Sequence, residues 1–169
     1  MGFVPEDRKT DGLVLQLSVH DNSLLVLRGL GSFFRRRSSA IPIAELLRTL
    51  DLRGAGLDRE VRFLSGGNQQ KVVLAKWLAS EAQILIFVEP TRGIDVGAKA
   101  RIHDLMRQLA RNGAAILMVS AELPELIGMS DRIVVMRNGT IAGELPAGPT
   151  ESDIMFLATG EQDAAGGAA

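Results

Sequence analysis

Two short unbroken apolar runs, Gln83-Ile84-Leu85-Ile86-Phe87-Val88 and Ala114-Ala115-Ile116-Leu117-Met118-Val119-Ser120, restrict the fold of this chain more than any other feature. Each is too short for a helix and has the pattern of a strand buried on both faces of a parallel sheet. Between them Ile102, Leu105, Met106 and Leu109 recur at helical spacing, with Asp95 placed to cap the start and Asn112-Gly113 to end it. Strand, helix, strand in that order implies a right-handed crossover and a parallel pair, which makes the fold class α/β. With 169 residues, 46% of them hydrophobic, the chain can build one core and not two full domains.

The flanking segments supply helices on one side and a hairpin on the other. Residues 5–12 are polar and turn-rich, and Ser18, Asp21 and Asn22 offer a start for a short helix near 21–30. Residues 31–39 read as a loop. Ile43, Leu46, Leu47 and Leu50 then form the i, i+3, i+4, i+7 stripe of an amphipathic helix, with Pro42 near its first turn and Gly54 and Gly56 ending it. Val73, Leu74, Trp77 and Leu78 predict a helix over 68–79. A short helix with Pro124 in its first turn follows the second strand. Arg137-Asn138-Gly139 between two apolar runs is a strong hairpin signal, and a last helix spans about 151–158. From Gly160 the chain is small and polar, as a flexible tail is.

Two places carry chemistry. Ser65-Gly66-Gly67 stands just ahead of an apolar-periodic helix, so backbone N–H groups are left free at the positive end of the helix dipole, a geometry suited to phosphate oxygens. Glu89 directly follows the first apolar strand and is a candidate general base. A capped helix start and a strand-end carboxylate are the plainer readings of the same residues. No stretch reads G-x-x-x-x-G-K-[ST], the loop that cradles a nucleotide's own phosphates.

Composition removes other classes. Nineteen basic and twenty acidic side chains nearly cancel, so bulk charge does not point to nucleic acid; Arg35-Arg36-Arg37 is the only basic run and reads as a solvated loop. No cysteine is present, which excludes disulfides and thiolate metal sites, and His20 and His103 are isolated. The N-terminal residues lack the pattern of a secretory leader or a myristoylation site. The longest apolar runs fall far short of the roughly 20 residues that cross a bilayer.

Taken together, Val4-Pro5-Glu6-Asp7-Arg8-Lys9, Asp11-Gly12-Leu13-Val14-Leu15, Leu64-Ser65-Gly66-Gly67-Asn68-Gln69-Gln70-Lys71, the run from Glu89-Pro90-Thr91-Arg92-Gly93 through Ile94-Asp95-Val96-Gly97-Ala98-Lys99, and Ser120-Ala121-Glu122-Leu123-Pro124-Glu125 resemble the nucleotide-binding subunits of ATP-binding-cassette transporters. The likeness is to the second cassette of the double-cassette subunits that drive bacterial importers of ribose, xylose, galactose and similar sugars. It implies an incomplete cassette over 1–158: a helical subdomain with the signature over about 15–80, an α/β portion with a C-terminal hairpin over 81–158, and a tail at 159–169. It also implies that Ser65, Gly66 and Gly67, with Gln69 beside them, meet the γ-phosphate of ATP on an opposing cassette. By the same likeness Glu89 polarises the attacking water, Asp95 reports across the dimer, and Glu6 stands where cassettes carry the glutamine that couples nucleotide to the transmembrane subunit. The implied cofactors are ATP and Mg²⁺. The implied partners are a transmembrane permease, an opposing cassette and, indirectly, a periplasmic or extracellular sugar-binding protein. The implied place is the cytoplasmic inner face of the cell membrane, peripherally.

Several departures qualify that likeness. Val88 stands where an aspartate holds the Mg²⁺ hydration shell and offers no oxygen ligand. Ala121 occupies the place of a histidine, and the phosphate loop (Walker A) would lie upstream of Met1. The chain by itself is therefore expected not to hydrolyse ATP. Without the upstream part, one side of the parallel sheet is expected to expose apolar surface and leave the chain marginally stable. The alternatives are a non-catalytic docking or regulatory fragment, a pseudogene product without function, and, remotely, a DNA-repair-type ABC ATPase. Such ATPases usually interpose a long coiled coil, and no sustained heptad run occurs here.

Overall fold

The computed structural model describes residues 1–29, 43–50, 52, 56–94 and 96–160, so the loop read at 31–39, the arginine triplet, Asp95 and most of the tail lie outside the described residues. The chain divides into two compact units, Met1–Val119 and one beginning at Ser120.

In the first unit, strands β1 (Gly2–Val4), β2 (Ile84–Val88) and β3 (Ala115–Val119) form a parallel sheet in the order β1-β2-β3. Helix α4 (Val96–Arg111) makes the crossover between β2 and β3, as the two apolar runs predict. The register sets Phe3 beside Ile86 and Ile86 beside Leu117, while Val4 lies beside Phe87 and Phe87 beside Met118. Because strand side chains alternate between faces, this pairing divides the sheet cleanly. Val4, Leu85 and Phe87 are fully buried on one face; Phe3, Ile84, Leu117 and Val119 are exposed on the other, Leu117 by 57%. The expectations that 83–88 is buried on both faces and that 114–120 is a second such buried strand are therefore corrected. β3 is an edge strand, and the apolar side chains of its open face have no cover within this unit among the described residues. The run keeps the composition of a doubly covered strand without having the second cover.

Helix α3 (Gly66–Leu78) is the centre of this unit and is buried all along 69–76. It contacts α1 (Val19–Gly29), α2 (Ile43–Thr49), β1 and one turn of π-helix at Arg8–Gly12, which explains why even its polar residues Gln69, Gln70, Lys71 and Lys76 are buried. The predicted helices at 21–30 and 43–50 are present with ends shifted by one or two residues. The helix expected at 68–79 starts two residues earlier, at Gly66. Asn22 is fully buried and satisfied: its Oδ1 accepts from Val14 N–H at 2.9 Å, and its Nδ2 donates to the carbonyls of Val14, Leu17 and Ser18. That amide shapes the segment before α1, which then runs against 57–62 through Val19 N–H to Arg59 O and Val61 N–H to Leu17 O.

The second unit packs α5 (Leu123–Met129) and α6 (Glu151–Thr159) with the hairpin β4 (Arg132–Arg137) and β5 (Thr140–Pro146). Asn138 and Gly139 turn the hairpin with φ of 52° and 78°, the left-handed pair that a two-residue hairpin requires. Ile133, Val135 and Ile154 form the buried core. α6 begins with a capping box in which Thr150 Oγ1 accepts from Asp153 N–H and Asp153 accepts from Thr150 N–H.

Candidate functional site

Two segments far apart in sequence, 6–9 and 92–93, line one cleft in the first unit, and a third, at Gly66, adjoins it through Arg8. The cleft's volume is about 370 Å³, and it is lined by Glu6, Asp7, Arg8, Lys9, Arg92 and Gly93. Glu6 and Arg92 form an ion pair across it, between two exposed side chains. Arg8 stands at the junction with the third segment: its Nη1 donates a long bond of 3.5 Å to the Arg92 carbonyl, and a Cβ added to Gly66 would come within 2.5 Å of its Nη2. Arg8 Nε is buried and has no hydrogen-bond partner among the described residues. The Arg8 guanidinium, four further charged side chains and the start of a helix therefore lie close together.

The Gly66 end of α3 is built to present its amides. Ser65 occupies the N-cap position without a side-chain capping bond, and the first intrahelical bond runs from Gln69 N–H to Ser65 O at 2.9 Å. The amides of Gly66, Gly67 and Asn68 precede that bond and are the orphan donors of a helix start. Gly67 packs directly on α4, since an added Cβ would lie 3.5 Å from Ala98. Gln69 turns inward: Nε2 donates to the Val61 carbonyl at 3.2 Å, behind the 3-10 turn Val61–Phe63, and its Oε1 is buried without a partner.

Glu89 leaves β2 in the left-handed region, with φ of 48°. For a glutamate that conformation costs about 1–2 kcal/mol, and such strain gathers at working sites. It is held by Glu89 N–H donating to Val119 O at 2.8 Å and Arg92 N–H donating to Glu89 O at 3.2 Å. Gly93 follows with φ of 69°, so the strand end, the glutamate and the cleft wall at Arg92 form one tight turn. Val88, half-buried and paired with Val119, supplies only hydrocarbon at the strand end.

Sequence reasoning singled out Glu6, Ser65, Gly66, Gly67, Gln69 and Glu89. The structure brings Glu6 and Gly66 to the two sides of Arg8, sets Glu89 at the base of the turn that carries Arg92, and directs Gln69 into the interior. Arg8 and Arg92 were not singled out, although both lie inside the motif segments. A cation three residues past Glu89 and one two residues past Glu6 were the available signals.

Asp7 organises the loop that holds these groups. Its carboxylate accepts from Lys9 N–H at 2.8 Å and from Thr10 N–H at 3.4 Å, capping the turn Arg8–Gly12. The bond from Lys9, with a smaller contribution from Thr10, holds the Asp7 carboxyl below its usual value of 3.8 against a weaker opposing effect of desolvation. A depressed folded value means that the cap contributes fully above the unfolded pKa and is lost as pH falls through the folded one. Carboxyl NMR is expected to show Asp7 titrating below 3.8, with the Lys9 and Thr10 amide shifts moving along the same curve. Titration of Asp7 at or above 3.8 would contradict the capping geometry.

Comparison with known proteins identifies the family of the chain. The profile of the ABC transporter family matches residues 1–92. The ribose import ATP-binding protein RbsA 1 of Streptomyces avermitilis is 51% identical over 165 residues, covering 94% of this chain and 31% of that protein. RbsA 1 of Rubrobacter xylanophilus is 46% identical over 99% of this chain and 34% of its own length, and RbsA of Roseobacter denitrificans is 51% identical over 85% and 29%. The chain thus spans about a third of the length of these curated relatives. Among solved structures, the ADP conformation of MJ1267, an ATP-binding cassette of an ABC transporter, superimposes with a TM-score of 0.67 at 23% identity, covering 92% of this chain and 63% of that one. The twinning structure of MJ1267 gives a TM-score of 0.72 at 20% identity, covering 92% of this chain and 68% of that one. The α/β expectation is met as part of an ATP-binding cassette, and with a family profile over more than half its length and relatives near 50% identity, this chain belongs to the ABC transporter family.

Proposed function

We propose that this chain forms part of the ATP-binding subunit of a sugar importer, and that the Gly66 end of α3 receives the γ-phosphate of ATP held on an opposing cassette. The observation that carries this reading is the helix start itself. Three first-turn amides stand free of any Ser65 side-chain cap, beside the Arg8 guanidinium. Amides and a guanidinium together suit a phosphate, because both donate to its oxygens and both favour negative charge. Gln69 backs this helix start through Val61, and Glu89 at the strand end is proposed to polarise the attacking water. Glu6, tied to Arg92, sits on the loop proposed to face a permease subunit, and Asp95 is proposed to report across the pair of cassettes. The helical portion at about 15–80 and the α/β portion at 81–158 are the proposed parts of this cassette.

Mg²⁺ does not fit the residues at this strand end. It demands near-octahedral oxygen ligation, and Val88 supplies none. No step through the metal is assigned to this chain, and the chain alone is proposed not to hydrolyse ATP. Among the described residues no helix is long and apolar enough to cross a membrane, so a place on the inner membrane face would come through the permease. A sugar-binding protein would then act on this chain only indirectly.

Size-exclusion chromatography of the chain mixed with the full-length Streptomyces avermitilis relative tests the reading. A complex that forms with ATP and dissolves without it is expected. No complex at any ATP concentration would overturn the proposal.

A further inference from the structure

One buried cation takes no part in the cleft. Lys76 lies in the last turn of α3, buried, and its Nζ donates to the Gly12 carbonyl at 2.6 Å across 64 residues of sequence. Gly12 closes the π-helical turn Arg8–Gly12, whose final carbonyls are the orphan acceptors of a helix end, where a cation is favourable. Asp7 caps the other end of the same turn. The turn is thus closed at its start by its own chain and at its end by α3.

It also lies along α3 at both ends. Arg8 meets the helix at Gly66, and Gly12 packs so closely that a Cβ there would come within 3.0 Å of Val73. From Gly66 to Lys76 the helix advances about 15 Å, nearly its whole length. With its Gly12 end bonded to Lys76 and the Arg8 guanidinium lying beside Gly66, the five-residue turn has little freedom to swing. We infer that Lys76 is a positioning residue that fastens the turn carrying Arg8 to α3, so that the cleft loop and the Gly66 helix start open and close as one body.

Packing alone gives no reason for a charge here. Burying an ammonium costs several kcal/mol unless a partner compensates, and burial pushes Lys76 below the usual lysine range. A methionine of similar length would fill the space without that cost. The charge adds the bond to Gly12 and a weaker cation–π contact with the Trp77 ring. The ring of Trp77, 5.5 Å from Nζ, gives the site its own fluorescent reporter.

The functional meaning of this tie rests on the proposed role of the Gly66 end, but its mechanical content does not. The test is amide hydrogen exchange of the full chain without nucleotide, comparing residues 8–14 with 69–72, the first hydrogen-bonded amides of α3. In the unmodified chain the two segments are expected to share one opening class. Lys76→Met is expected to raise exchange in both together by roughly ten- to hundredfold, the loss of one charged hydrogen bond, and Lys76→Arg to restore much of the protection. A purely packing role predicts the reverse order, with Met like the parent and the bulkier Arg worse, and that result would overturn the inference. Faster exchange confined to 8–14 would also overturn it. Should Lys76→Met fail to fold, separate opening classes in the unmodified chain would do the same. An absent ATP-dependent complex beside intact coupled exchange would sink the proposed function and leave this inference standing.

Discussion

Phe87→Ala is expected to abolish cooperative unfolding of the first unit. Phe87 is fully buried at the centre of β2, in register with Val4 on one side and Met118 on the other. Truncating a buried phenylalanine costs about 3–5 kcal/mol, from lost transfer free energy and the cavity left behind. Whole domains have only about 5–15 kcal/mol to lose, and this unit carries an uncovered sheet face. Trp77, the only tryptophan of the chain, packs beside Gly2 of β1 and reports on this core. Urea denaturation followed by its emission should show a sigmoidal transition in the parent and a sloping baseline in the variant. A retained transition displaced by less than about 1 kcal/mol would mean that β2 is not the centre of the fold.

Gly66→Asp separates stability from function at the other end of α3. An aspartate in the first turn interacts favourably with the helix dipole, worth about 0.3–1 kcal/mol, and here it would lie against the Arg8 guanidinium. Arg8 Nη2 is the far end of a flexible side chain and can give way to the new Cβ. The melting temperature is therefore expected to hold or rise. The ATP-dependent complex is expected to vanish, because the carboxylate takes the place proposed for a phosphate and repels it. A variant that is stable and still associates with ATP would remove the Gly66 end from the site. One that unfolds would show that the glycine is kept for packing alone.

How much of this was legible depends on whether the cause was local. Periodicity placed α4 and β3 because a crossover helix and an apolar strand carry their own patterns, and Asn138-Gly139 announced the hairpin by the φ values it needs. β1 left no such trace: three residues before Pro5 are too few to alternate, and only the register with β2 makes them a strand. A turn over 5–12 could be read from its polar residues, but not its π-helical form at Arg8–Gly12 nor its closure by a lysine 64 residues away. Propensity delayed the start of α3 to residue 68 because two glycines weaken a helix, whereas the helix begins at Gly66, after the N-cap Ser65. The site segments could be read as motifs. That Arg8 joins two of them, and that Gln69 faces inward, depended on packing.

The measurement that tests the central claim most directly is amide hydrogen exchange of this chain bound to the ATP-loaded Streptomyces avermitilis relative, resolved at Gly66, Gly67 and Asn68. If those three amides meet the γ-phosphate, they gain protection that disappears when ATP is omitted and in the Gly66→Asp variant. Unchanged exchange at these amides in a complex that forms would place the nucleotide elsewhere and contradict the account.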